Sequence, residues 1–336
     1  MKIEIFDIST EGEGIGREPS GKIVFVPRAL PGESVEIEIT EDKGRFMRGR
    51  RTDIGDAPVC GGCPLIDYPY KKQLEWKEKH VRDCLTRIAK LSEPVIRPIA
   101  GMDNPYGYRN KIELRVNEGL PYCNVNCKDC PIQDETMKRA VSSFIDKPVK
   151  NAEQLIIRTG KAGAPSAPAG GLVFESAPLK EPSVLAYTIQ KSGYMLLYAG
   201  ENPIYDYIDT DFARLTVEVD PESFYQVNSV QTGRLYSIAQ KYAAPEEGSS
   251  ILDLYCGCGT IGLSMAARAG RVIGVEAARS SVILANRNAV LNGIVNATFI
   301  CGRAEDVVKT KLQGVKADIV ILDPPRAGCR ASFRRS

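Results

Sequence analysis

Residues 250–262 read Ser-Ile-Leu-Asp-Leu-Tyr-Cys-Gly-Cys-Gly-Thr-Ile-Gly, and this stretch decides the fold. A short, largely apolar run at 251–255 reads as a buried strand, and the glycines after it read as a tight turn. A helix is expected over 260–268. Outward from this unit the pattern repeats. Strands are expected at 271–276, 297–301 and 317–322, with helices at 280–291 and 305–312 between them, and a further helix at 229–242 lies upstream. Apolar strands that alternate with helices predict a parallel, doubly wound α/β sheet covered on both faces.

In such a sheet the ligand sits beyond the carboxyl ends of the strands. The turn from Gly257 to Gly262 fits G-x-G-x-x-G, with Gly257 and Gly259 letting the backbone come close to a ligand. Glu276 ends the next strand 19 residues after Gly257, near the spacing at which an acid accepts from a ribose hydroxyl pair. A dinucleotide would suit this turn as well. Asp323-Pro324-Pro325, at the tip of the fourth strand, favours S-adenosylmethionine, because a dinucleotide site has no use for it.

Composition sets broad bounds. The chain has 336 residues, 26% charged and 43% hydrophobic, with a formal net charge of +2. That length allows two or three domains, and the charge is too small to argue for nucleic-acid binding by itself. No apolar run approaches the roughly 18 residues of a membrane span, and the N-terminus lacks the apolar core of a signal peptide. A cytoplasmic protein with no membrane partner, most simply a monomer, is expected. Ten cysteines and a single histidine, His80, argue for reduced thiols or metal ligands over disulfides.

Residues 1–52 predict a small β-barrel. Alternation at 35–39 marks a strand, and Gly12, Gly14 and Gly16 fit a turn with positive φ. The run 43–51 carries Lys43, Arg45, Arg48, Arg50 and Arg51 around Phe46. That pattern suits phosphate contact with base stacking, or a merely solvated strand face. Residues 70–90 place Leu74, Val81, Leu85 and Ile88 on one stripe of a surface helix. The segment 161–171 is a low-complexity loop. Three domains follow: 1–52, a central α+β domain at 53–215 with clustered cysteines, and 216–336.

Here the residues resemble a family. Phe224-Tyr225-Gln226-Val227-Asn228, DLYCGCGTIGL (253–263), VIGVE (272–276), Ala285-Asn286-Arg287-Asn288-Ala289 with Asn292, and ILDPPRAG (321–328) resemble the RNA uracil-5-methyltransferases. The N-terminal barrel resembles their TRAM domain, and the domain order is most similar to members acting on 23S ribosomal RNA. The resemblance implies an S-adenosylmethionine site on Gln226, Tyr255, Gly257, Gly259, Thr260, Glu276 and Asp323. It implies RNA contact by Tyr108-Arg109-Asn110-Lys111, chiefly Arg109 and Lys111, beside Lys43, Arg45 and Arg48. Cys60, Cys63 and Cys130 resemble part of a [4Fe-4S] site, with Cys123 or Cys127 as a further ligand; four thiolates also suit tetrahedral zinc.

The chemistry expected of that family needs a thiolate to add to uracil C6 and a general base to remove the C5 proton. In the family both lie downstream of the Asp-Pro-Pro turn, so no catalytic residue is expected within 1–336. Cys329 falls where the family has an aliphatic residue. Two readings result: an RNA uracil-5-methyltransferase whose 336-residue stretch does not turn over alone, or a module that binds RNA and cofactor without catalysis. A small-molecule or amino-N methyltransferase is disfavoured, because it needs neither the barrel nor the 224–228 motif.

Overall fold

The computed structural model describes residues 1–54, 63–122, 127–162, 178–190, 195–200, 203–220, 224–325 and 328–329. The chain forms two compact units, one from Met1 to Pro105 and one from Tyr106 onward.

The first unit opens with five strands: β1 (Lys2–Ile8), β2 (Gly14–Arg17), β3 (Ile23–Val26), β4 (Ser34–Asp42) and β5 (Phe46–Arg51). They close into a barrel in the order β1-β2-β3-β5-β4. Alternation dictates the closure. Ile3, Ile5, Val24, Val26, Val35 and Ile37 point inward and form one buried cluster, while the intervening residues face out. The turn expected at Gly12, Gly14 and Gly16 is narrower than the glycines suggested. Only Gly12 has positive φ, at 80°. Gly14 and Gly16 lie within β2, where a Cβ would press on the Ala29 carbonyl oxygen and Ile3 Cγ2. They are there for close packing inside a narrow barrel.

Helix α1 (Tyr70–Asp83) continues into a π turn at Cys84–Ile88. The expected apolar stripe is not buried as a whole: Val81 is 48% exposed and Ile88 78%. Polar contacts hold the helix instead. The Trp76 indole N–H donates to the Ile8 carbonyl at 3.2 Å, and Lys79 pairs with Asp7 at 2.7 Å.

The second unit contains two sheets. One has seven strands: β6 (Lys111–Asn117), β7 (Leu120–Tyr122), β8 (Ala152–Ala162), β9 (Pro178–Gln190), β10 (Met195–Gly200), β11 (Ile204–Asp209) and β12 (Arg214–Val219). Its main order is β10-β9-β8-β11-β12, with β6 joining β8 to β7. Helix α2 (Glu135–Phe144), capped by the Asp134 carboxylate, buries Met137, Ala140 and Val141 in a core shared with Leu114, Leu155 and Ile157.

The other sheet is parallel, as expected. β13 (Ser250–Leu254), β14 (Arg271–Glu276), β15 (Ala297–Cys301) and β16 (Ile319–Leu322) run in the order β15-β14-β13-β16. Helices α3 (Ser229–Ala243), α4 (Thr260–Met265), α5 (Arg279–Leu291) and α6 (Ala304–Thr310) connect or flank them. One core cluster runs across both sheets, from Leu185, Ile204 and Val217 to Leu263, Ala285 and Phe299.

The edge of the antiparallel sheet is closed by side chains of α5 and of its C-terminal cap. Asn292 Oδ1 accepts from Thr216 N at 2.8 Å, and its Nδ2 donates to Thr216 O at 2.7 Å. Asn288, fully buried, accepts from Glu218 N at 2.9 Å and donates to Cys258 O at 3.2 Å. The two amides stand where a neighbouring strand would. No helix among the described residues is long and apolar enough to cross a membrane.

Candidate active site

The strand order reverses between β13 and its neighbours, which places a crevice at the carboxyl ends of β13, β14 and β16. Three features converge there. β13 ends at Leu254, because Tyr255 adopts φ 62°, a conformation costly for a bulky residue. Its hydroxyl donates to Glu305 on α6 at 3.1 Å. Burial, with Cys329 and Glu305 beside it, pushes the phenol well above its ordinary range.

Gly257 follows with φ 55° and open space where a Cβ would stand. Its N–H donates to Glu276 Oε2 at 3.1 Å, and Ala278 N donates to Oε1 at 2.9 Å. Each carboxylate oxygen keeps a lone-pair direction for a further donor. Gly259 serves another purpose. A Cβ there would lie 2.8 Å from the Phe299 ring, so this glycine lets the turn pack inward. Gly262 likewise sits tightly over Asp253, whose Oδ2 accepts from Gly262 N at 2.9 Å.

Asp253 is 1% exposed and its Oδ1 has no hydrogen-bond partner. Burial pushes its carboxyl up to about 7, with Asp323 and Glu276 adding to the effect. Asp323 itself is exposed at the tip of β16, beside the end of β13, since Leu254 pairs with Leu322. Thr260 is buried, its hydroxyl 2.7 Å from that of Tyr236.

The 224–228 segment lies against this turn. Phe224 is 71% exposed, and its carbonyl accepts from the Cys258 thiol at 3.7 Å. Asn110, just before β6, holds the segment: its Nδ2 donates to Gln226 O and its backbone N to Val227 O, both at 3.1 Å. Tyr225 is buried and donates to Asp206 Oδ2 at 3.0 Å. Burial raises the Asp206 carboxyl above its ordinary value. Asn228 caps α3 by accepting from Gln231 N. Thus Gln226, Tyr255, Gly257, Glu276 and Asp323 fall at one end of the parallel sheet, and Gly259 and Thr260 support them from beneath.

The open space before Gly257, the acceptor pair of Glu276 and the acids around it fit a cationic nucleoside cofactor. Neither turn cysteine is a nucleophile at neutral pH. Burial pushes Cys256 well above the usual thiol range and Cys258 to about 11.

The expected basic and cysteine sites look different in space. Lys43 pairs with Glu41, Arg48 with Glu13, Arg50 with Glu38, and Arg51 with Glu33 and Asp53. Arg45 is exposed and has no carboxylate partner among the described residues. Arg109 donates to Lys111 O, and Lys111 pairs with Glu113 at 2.6 Å. Cys60 and Cys123 lie outside the described residues. Cys63 and Cys130 are half-buried. Cys127 is buried and disulfide-bonded, where a reduced thiol or metal ligand was expected over a disulfide. A sulfur engaged in that bond cannot also serve as a free thiolate ligand. Among the described residues no three ligating side chains converge.

Residues 1–51 match the TRAM domain model, and residues 201–333 match the tRNA (Uracil-5-)-methyltransferase model. An uncharacterized RNA methyltransferase of Bacillus cereus (strain ATCC 14579) is 32% identical, covering 96% of this chain and 82% of the relative. Another, from Staphylococcus aureus (strain N315), is also 32% identical, with 98% and 84% covered. Among solved structures, the Pyrococcus abyssi tRNA (uracil-54, C5)-methyltransferase in complex with S-adenosyl-L-homocysteine is similar over 99% of this chain and 86% of its own. Its TM-score is 0.66 at 23% identity, a likeness of fold.

Proposed function

Since the chain belongs to the RNA methyltransferases that join a TRAM domain to a tRNA (uracil-5-)-methyltransferase domain, we propose that it directs S-adenosylmethionine-dependent methylation to a uridine C5 in 23S ribosomal RNA. In this reading it acts as a cytoplasmic monomer. The observation that carries the cofactor assignment is the unobstructed Gly257 turn facing the Glu276 carboxylate.

The bound cofactor supplies a methyl group made electrophilic by a cationic sulfur. Glu276 accepts from the ribose hydroxyls while its own position is held by Gly257 N and Ala278 N. Gln226 offers its side-chain amide from a backbone fixed by Asn110. Glu276 and Asp323 together set a negative potential that favours a cation in the crevice. Asp323 and the exposed Phe224 ring stand where an acceptor base would enter.

Uracil C5 is not nucleophilic until a thiolate has added to C6. Within 1–336, Cys256 and Cys258 are kept protonated by burial, and Cys329 sits at the position of a family aliphatic. The stretch 1–336 is therefore proposed to bind cofactor and RNA without turning over by itself. The alternative is a module that binds RNA and cofactor without catalysis. A cluster on Cys60, Cys63 and Cys130 belongs to the proposal as well and is tested by metal content.

Calorimetry with S-adenosylmethionine tests the central assignment. Glu276→Ala should weaken binding by at least tenfold, since hydrogen bonds to a charged group contribute about 1.5–3 kcal/mol each. Unchanged affinity, or tighter binding of a nicotinamide dinucleotide, would remove it. Tritiated cofactor and unmodified ribosomal RNA test turnover, and 5-methyluridine formed by 1–336 alone and lost in Cys329→Ala would assign the nucleophile to Cys329.

A further inference from the structure

The barrel offers a second surface that the basic run 43–51 did not suggest. Strand alternation turns Phe6, Ile15, Arg17, Ile23, Phe25 and Phe46 outward, on β1, β2, β3 and β5, since their neighbours form the buried cluster. Register sets them side by side. Ile15 is opposite Phe25 and Arg17 opposite Ile23, while Ile23 pairs with Phe46 and Phe25 with Arg48. The Phe25 and Phe46 rings meet edge to face at 5.4 Å. Phe6 is 55% exposed, and the Arg17 guanidinium lies 5.8 Å from its ring centroid.

Charge separates this face from the expected one. On β5 and its turn, Lys43, Arg48, Arg50 and Arg51 each sit against a carboxylate. Lys22, beside the face, pairs with Asp42. Arg17 is exposed, donates only to the Gly21 carbonyl at 2.6 Å, and has no carboxylate partner among the described residues. A cation lying over an exposed ring, next to two further rings on one sheet face, matches the needs of an unpaired nucleotide. Its base stacks on a π face and its phosphate meets a free cation. A duplex keeps its base faces stacked inside and cannot use the rings.

On the premise that the chain is an RNA methyltransferase, we infer that the outer face of β1, β2, β3 and β5 is a stacking platform for single-stranded or loop RNA, with Phe6 as its principal ring and Arg17 as its phosphate contact. The platform binds RNA bases by their faces, with little regard to sequence. The paired cations of 43–51 contribute a weaker, general attraction.

The test uses the 336-residue chain with a short fluorescein-labelled unpaired RNA and a hairpin duplex of the same composition. Phe6→Ala should weaken binding of the unpaired RNA by about 5- to 150-fold and leave the duplex unchanged, with circular dichroism checking the fold. Phe6→Trp should keep the affinity, and its added fluorescence should be quenched by the unpaired RNA. Arg17→Gln should reduce the salt slope by about one phosphate contact. Full affinity in Phe6→Ala together with its loss in the Arg45→Ala, Arg48→Ala, Arg50→Ala triple variant would overturn the platform while leaving the RNA reading intact. Equal affinity of the wild type for duplex and unpaired RNA would also overturn it. Binding of neither RNA would reject the RNA reading itself.

Discussion

Asp253→Asn probes the electrostatics beneath the cofactor turn. The carboxyl is 1% exposed, accepts one hydrogen bond from Gly262 N, and has Asp323 and Glu276 as its charged neighbours. Its value rises from 3.8 to about 7. Between about pH 4 and 7 the folded chain holds a proton that the unfolded chain has released. Stability must therefore fall as pH rises through that window and level off above it. The span corresponds to about 4 kcal/mol at 1.36 kcal/mol per tenfold change in proton concentration. Asparagine keeps an oxygen for Gly262 N and has no proton to lose. Its new amide donor beside the unpartnered Oδ1 position costs about 1–3 kcal/mol, but equally at every pH. The assay is urea unfolding of wild type and D253N from pH 5 to pH 8. The variant should gain about 2–3 kcal/mol relative to wild type across that range, whatever its standing at pH 5. A difference that stays constant with pH would refute the reasoning, because it would mean that Asp253 stays ionised in the folded state throughout.

Three further outcomes follow from the same geometry, and a fourth concerns metal content. Gly259→Ala should cost about 2–4 kcal/mol, combining a positive φ with a Cβ driven onto Phe299. Gly257→Ala should cost only about 1–2 kcal/mol yet lose cofactor affinity, which paired denaturation and calorimetry would separate. Tyr225→Phe removes a donor from buried Asp206 and should cost about 1–3 kcal/mol. It should also weaken S-adenosylmethionine binding through the adjoining Gln226, and thermal unfolding and calorimetry on one preparation check both. Anaerobically purified protein should contain iron if Cys60, Cys63 and Cys130 hold a cluster; zinc in stoichiometric amount, or no metal, would reject it.

The parallel sheet was legible because its strands are short apolar runs between glycine turns and amphipathic helices. β14 and β15 fall on the expected residues. β13 stops one residue early, since a left-handed Tyr255 is not visible in a propensity pattern. The seven-stranded antiparallel sheet was much less legible. β8 is buried without interruption from Leu155 to Gly160, so it lacks the alternation that marks a half-exposed strand. Its buried Arg158 and the Asp206–Tyr225 pair break the polarity pattern too. At the site, glycine spacing and Glu276 could be read directly. The roles of Asn110, Asn288 and Asn292 could not, because they are hydrogen bonds between segments far apart in sequence. The basic run 43–51 was readable as charge, but its carboxylate partners other than Asp53 come from β4 and from the segments flanking β4 and β2, which charge patterning along one segment does not reveal.

The asparagine closure of β12 carries a consequence for how the protein is made. Glu218 and Thr216 emerge 70 and 76 residues before the amides that satisfy them. At translation rates of about 5–20 residues per second, the growing chain carries an open strand edge for about 4–15 s before Asn288 and Asn292 exist. During that interval the nascent sheet is a template for pairing with a neighbouring chain. The crowded face of a polysome is where such neighbours are nearest, and speed of synthesis through α5 sets how long the hazard lasts.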